Sequence, residues 1–240
     1  MFKSTTVLQG GIKVSIKIQN TSDVHTAGVK FLVYGEAGAG KTTLIRTLPN
    51  PIILSAEAGL LSLRGSNIPF IEIANMEDMG EAYTYLTTDP EGMKFESIAL
   101  DSISEIAEVI LSAEKKKSTD ARQAYGKLQE QIGDLVRAFR DISNRNVYFS
   151  AKMEKLITDD GVLRAASLPG KKTSEALPYF FEEVLALRIN RNEDGTVERM
   201  LQTSPDGIWS AKDRSGCLDT WELPDLGAII KKIKGESNVK

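Results

Sequence analysis

The sequence predicts an α/β fold: a mostly parallel central sheet with helices on both faces and antiparallel strands near the C-terminus. Three observations carry this. Short apolar runs alternate with helical periodicities over residues 31–150, as strand–helix–strand crossovers of a parallel sheet do. The first run, F-L-V-Y at 31–34, passes through Gly35, Gly38 and Gly40 into Lys41 and Thr42, a strand–glycine loop–helix junction. Beyond Ser150 the spacing changes to hairpin signals, with alternation at 184–189 and 197–202 around Asn192-Glu193-Asp194-Gly195.

Residues 1–28 read as a polar N-terminal arm ahead of a core at 29–240. In the arm, V-S-I-K-I at 14–18 alternates like a strand between turn signals. Packing on the sheet edge is expected, ahead of reach to a neighbouring subunit. In the core, residues 42–48 form a short helix closed by Pro49-Asn50-Pro51, since proline does not continue a helix. Residues 52–55 are a strand ending in Ala56-Glu57-Ala58-Gly59, and 69–73 are another. Residues 75–87 repeat apolar positions at helical spacing, and Asp89-Pro90-Glu91-Gly92 turns the chain. F-E-S-I-A-L-D at 95–101 is a buried strand ending in a carboxylate. An amphipathic helix at 103–113, a polar basic connection at 114–125, a helix at 126–143 and a strand at 146–150 follow. Residues 152–174 read as a long polar loop, functional or mobile, where Asp159-Asp160-Gly161 offers a hairpin turn. A strand at 208–212 and a closing helix at 224–233 complete the chain, with no internal repeat and no splitting linker.

Composition excludes several function classes. With 240 residues, 41% hydrophobic and 26% charged, the chain is an ordinary globular protein. A formal charge of -3 gives no global attraction to nucleic acid or acidic membranes, so any DNA site must be a local basic patch. Cys217 is the only cysteine and His25 the only histidine. This rules out a disulfide framework and a Cys- or His-rich metal site. No signal peptide or bilayer-length apolar run is evident, and a cytoplasmic, reducing location is expected.

G-E-A-G-A-G-K-T at 35–42 matches G-x-x-x-x-G-K-[ST] in its proper context, strand before and helix after. Glycines let successive backbone N–H groups turn inward on an anion, and the helix start adds its positive end. Gly35, Glu36, Ala37, Gly38, Ala39, Gly40, Lys41, Thr42 and Thr43 are therefore the expected nucleotide-binding residues. Lys41 would reach the outer phosphates, and the Thr42 hydroxyl would hold Mg²⁺. Asp101, at a strand end downstream of this loop, is the expected second Mg²⁺ group, although Asp101-Ser102 could also cap the next helix.

The order of these motifs resembles the RecA-like recombinase core over roughly residues 30–215, as a P-loop NTPase. Within that group it looks most like the small phage RecA-core ATPases that act as single-strand annealing recombinases. The resemblance implies ATP as nucleotide and DNA-stimulated hydrolysis in phage-type homologous recombination, in the cytoplasm of a bacterial host. It implies that Glu57 polarises the attacking water, the alternative being a turn cap. It puts Lys152, or Ser150 through its hydroxyl, where the γ-phosphate is sensed, although that position is usually Gln or His. It matches two basic segments to two DNA-binding loops, Lys115, Lys116, Lys117 and Arg122 in the first and Lys155, Arg164, Lys171 and Lys172 in the second. Tyr125 could stack on a base. Lys212 and Arg214 match basic residues that reach the neighbouring subunit's ATP. The implied partners are single-stranded DNA, further copies of the chain in a ring or filament, and a single-stranded-DNA-binding protein, with no membrane.

Competing readings fit less well. A GTPase would need D-x-x-G and N-K-x-D, where this chain has D-S-I-S after Asp101 and S-N-R-N-V before Ser150. A partition ATPase would need lysine at Glu36, and a small-molecule kinase lacks an evident acceptor site. A nucleotide-switched accessory ATPase or helicase loader is the alternative that stays open.

Overall fold

The structure, a computed structural model, describes residues 4–7, 13–16, 28–57, 59–118, 120–158 and 161–236. Two arm strands, β1 (Ser4–Val7) and β2 (Lys13–Ile16), pair antiparallel as a separate two-stranded sheet. The far end of the expected arm strand, the arm's packing and His25 lie outside the described residues, as do Ala58 and the 159–160 turn.

The core strands are β3 (Lys30–Gly35), β4 (Pro51–Ser55), β5 (Phe70–Glu72), β6 (Ser97–Asp101), β7 (Asn146–Thr158), β8 (Gly161–Ser167), β9 (Glu183–Arg191), β10 (Val197–Gln202), β11 (Lys212–Asp213) and β12 (Trp221–Glu222). Their sheet runs β12-β10-β9-β3-β7-β6-β4-β5, with β8 on β7 and β11 on β9. From β9 to β5 the main path is parallel. β8, β10, β11 and β12 join antiparallel, as the sequence predicts.

The helices are α1 (Lys41–Leu44), α2 (Met76–Thr88), α3 (Ile103–Lys117), α4 (Ala121–Arg140), α5 (Lys171–Ala176) and α6 (Leu226–Ile233). Side chains alternate across a strand, so β3 feeds two cores. Leu32 and Tyr34 join Leu100, Phe149 and the apolar stripes of α2, α3 and α4, while Phe31 and Val33 join Ile45, Tyr148, Leu185 and α6. Both faces of β3 are buried, which is why its run is continuous rather than alternating. Parallel strands with helices on both faces leave a cleft at the carboxyl ends of β3, β4 and β6 and beside the middle of β7.

Three expectations are corrected. Residues 114–125 are not an open connection. α3 continues to Lys117, where an i,i+3 contact of Lys117 with Glu114 and the helix dipole favour lysines in the last turn. α4 starts at Ala121 under an Asp120 cap, so Lys115, Lys116, Lys117, Arg122 and Tyr125 are helical. Residues 152–174 are not a long loop either. β7 runs on to Thr158 and pairs with β8, register Lys152↔Ser167 to Thr158↔Gly161, and α5 follows. The hairpin's tip lies in solvent, where Ile157 is exposed, while Ala166 and Met153 pack on the core, so polar and apolar residues mix along its strands without a clean alternation. In 208–212, only Lys212 lies in a named strand, while Trp209 makes one isolated bridge to Arg164.

Candidate active site

The glycine loop follows β3 directly. A side chain at Gly35 would put its Cβ 2.6 Å from Leu187 O, so β9 packs against the loop's first residue. Gly40 has φ of 103°, in the left-handed region, and its carbonyl accepts from Leu44 N at 2.9 Å to start α1. Lys41 Nζ folds back on the loop, donating to Gly35 O (2.9 Å) and Glu36 O (3.0 Å). Two outside side chains brace the loop. The buried Tyr148 hydroxyl donates to Lys41 O at 2.8 Å, and Arg199 Nε donates to Ala39 O at 3.0 Å. Burial lowers the pKa of Lys41, opposed by the negative charges of Asp101 and Glu57.

β7 lies between β3 and β6, so its side chains meet both the loop and Asp101. Asp101 is 4% exposed. Thr42 Oγ1 donates to its Oδ2 at 2.7 Å, and Ser150 Oγ donates to its Oδ1. Burial raises the Asp101 pKa, and the two hydroxyl donors, which favour the ionised form, oppose that. Glu57, just past β4, is held by Ser102, whose Oγ donates to Glu57 Oε1 at 2.6 Å while capping α3 by accepting from Glu105 N at 3.3 Å. Lys152 Nζ pairs with Glu105, which raises the lysine's pKa. Gly35, Lys41, Thr42, Glu57, Asp101 and Lys152 all line one cleft of about 620 Å³.

The donor set fits Mg²⁺. Thr42 and Asp101 offer hard oxygen ligands in hydrogen-bond contact, and the cleft lining contains no thiolate or imidazole. Among the described residues, no group of three or more His, Cys, Asp or Glu could hold a metal. Two protein oxygens suit an ion that keeps waters and takes further ligands from phosphates.

Of the expected site residues, the structure brings the loop, Glu57, Asp101 and Lys152 together. Ser150 lines the same cleft, with its hydroxyl donating to Asp101. Lys212 and Arg214 lie elsewhere. β11 pairs with the start of β9, Lys212 Nζ donates to Pro178 O, and Arg214 lines a second cavity with Lys30, at the amino end of β3. The basic candidates divide. Lys115 Nζ sits 5.5 Å from the Tyr125 ring centroid, and a Cβ at Gly170 would lie 3.1 Å from that ring. The end of α3, the start of α4 and the residue before Lys171 and Lys172 therefore meet at Tyr125. Lys155 is exposed on the hairpin. Arg164 is not free surface: its guanidinium stacks on Trp209 at 5.2 Å and its Nε is buried without a partner.

Sequence reading missed Ser102, Tyr148 and Arg199. The Ser at an Asp-Ser helix start was legible as a cap; its second contact, to Glu57, needed the strand order. No local signal marks Tyr148 or Arg199.

The chain matches the AAA domain family over residues 27–215. Nothing among the curated proteins matches it. Among solved structures, it is similar to the flagellar accessory protein FlaH from Methanocaldococcus jannaschii, at 10% identity and a TM-score of 0.41, covering 78% of this chain and 83% of that one. The family match spans most of the chain and includes the entire phosphate loop, Glu57 and Asp101, and the chain belongs to the AAA domain family, a P-loop ATPase.

Proposed function

We propose that this protein is an ATP-dependent single-stranded-DNA-binding and annealing recombinase that hydrolyses ATP at the 35–43 loop. The loop's backbone amides and Lys41 bind and orient the triphosphate, Lys41 leaving the carbonyls of Gly35 and Glu36 to do so. Thr42 and Asp101 would hold Mg²⁺, which supplies charge neutralisation to the phosphates when bound. Glu57, oriented by Ser102, accepts a hydrogen bond from the attacking water and directs it. Lys152 is poised at the cleft on an exposed ion pair that a phosphate could displace. Arg214, exposed beside a second cavity, would reach a neighbouring copy's nucleotide, and Lys212 would leave the Pro178 carbonyl to join it.

The observation that carries the DNA half of the reading is the meeting at Tyr125. Two basic segments far apart in sequence converge on an exposed aromatic ring. A cationic track with a stacking ring suits single strands, because every base has a π face. The test is fluorescence anisotropy with a labelled oligonucleotide and ATP over a salt series. Replacing Lys115, Lys116 and Lys117 by Ala should weaken binding and flatten the salt slope by about 0.7 log units per lost phosphate contact. Tyr125→Ala should weaken binding and leave that slope unchanged. Wild-type affinity in both variants would remove the DNA assignment and favour an accessory ATPase.

A further inference from the structure

β10 stands two strands from β3, yet Arg199 reaches from it across β9 to the phosphate loop. Its Nε donates to Ala39 O at 3.0 Å. A Cβ built on Gly40 would lie 3.6 Å from Nε and 3.7 Å from Cδ, so the side chain runs along the loop in van der Waals contact. A loop that turns its N–H groups inward turns carbonyls outward, and the carbonyl of the fully buried Ala39 needs a donor. Arg199 supplies a charge-assisted one. Its fork is otherwise unoccupied: among the described residues, no carboxylate pairs with it and its terminal nitrogens make no hydrogen bond. A cation that the protein leaves unneutralised thus lies against a loop built to hold an anion.

We propose that Arg199 is a positioning residue for the nucleotide: it holds the phosphate loop curled through Ala39 and places a positive charge beside the bound phosphates. The inference rests on reading this loop as the ATP site. A contact to the back of the loop acts on bound substrate and transition state alike, so its loss falls chiefly on affinity.

The test is Mg²⁺–ATP binding by calorimetry, with steady-state turnover, for wild type, Arg199→Ala, Arg199→Gln, Arg199→Lys and Lys41→Ala. Arg199→Ala should weaken binding about tenfold, the size expected at the low end for one part-buried charge-assisted hydrogen bond. KM should rise by the same factor and kcat fall by less. Arg199→Lys should recover part of the loss and Arg199→Gln little, and the difference between these two should shrink in high salt. Wild-type ATP affinity in Arg199→Ala, with Lys41→Ala defective, would overturn the role of Arg199 and leave the site standing. Equal affinity in Arg199→Gln and wild type would overturn the charge argument. Failure of wild type itself to bind ATP would overturn the reading of the site.

Discussion

Ser102→Ala separates a helix cap from a catalytic support, because one hydroxyl does both. Its Oγ accepts from Glu105 N at the start of α3 and donates to Glu57 Oε1 at 2.6 Å. Loss of an N-cap costs about 1 kcal/mol, which in a domain of this size lowers Tm by roughly 2–4 °C. A hydrogen bond to a charged group contributes roughly 1.5–3 kcal/mol, and the half-buried position of Glu57 argues for the lower end. If that bond orients the water-directing carboxylate in the transition state, kcat falls about tenfold. ATP affinity should stay within about twofold on the same arithmetic, since Ser102 makes no hydrogen bond to the phosphate loop. The assay is steady-state ATP turnover beside calorimetric ATP binding and a thermal melt. A lowered Tm with unchanged kcat would leave Ser102 a cap and refute the Glu57 argument.

Glu57→Gln should keep ATP binding and cut turnover by roughly a hundredfold, whereas loss of both in parallel would make Glu57 a structural cap. Glu183 gives a pH test. Burial beside Asp213 raises its pKa to about 8 from 4.5, so its stabilising effect is complete below pH 4.5 and is lost as pH rises to about 8. Glu183→Gln should therefore raise Tm relative to wild type at pH 8.5 and not at pH 4.5, and equal shifts at both pH values would contradict the titration. Mixing Arg214→Ala, which keeps its loop, with Lys41→Ala, which keeps its basic turn, should restore part of the ATPase that each lacks. No recovery despite demonstrated co-assembly would remove the shared site.

The phosphate loop and its flanks were legible because a tight anion cradle needs glycine at fixed offsets, and a parallel strand buried on both faces reads as an unbroken apolar run. Asp101 and Glu57 were legible as strand ends, and the strand order brings both to one cleft. Ser150 was ambiguous in sequence; its hydroxyl goes to Asp101, a pairing fixed only because β7 lies between β3 and β6. The far half of β7 was hidden because polar residues are mixed among its apolar ones and its tip lies in solvent, which leaves no clean apolar alternation. Lys115–Lys117 read as a loop because charge density resembles disorder, although three lysines in a last turn are what the helix dipole favours. Arg164 illustrates the limit of charge counting: the sequence shows a cation, and only the fold shows it spent on Trp209.

The most direct measurement is the ATP turnover rate of the wild-type protein with Mg²⁺, with and without single-stranded DNA, beside Lys41→Ala. Hydrolysis should depend on Mg²⁺, be accelerated by single-stranded DNA and be abolished in Lys41→Ala. Hydrolysis that persists unchanged in Lys41→Ala would contradict the assignment of the loop, and turnover indifferent to DNA would contradict the recombinase reading.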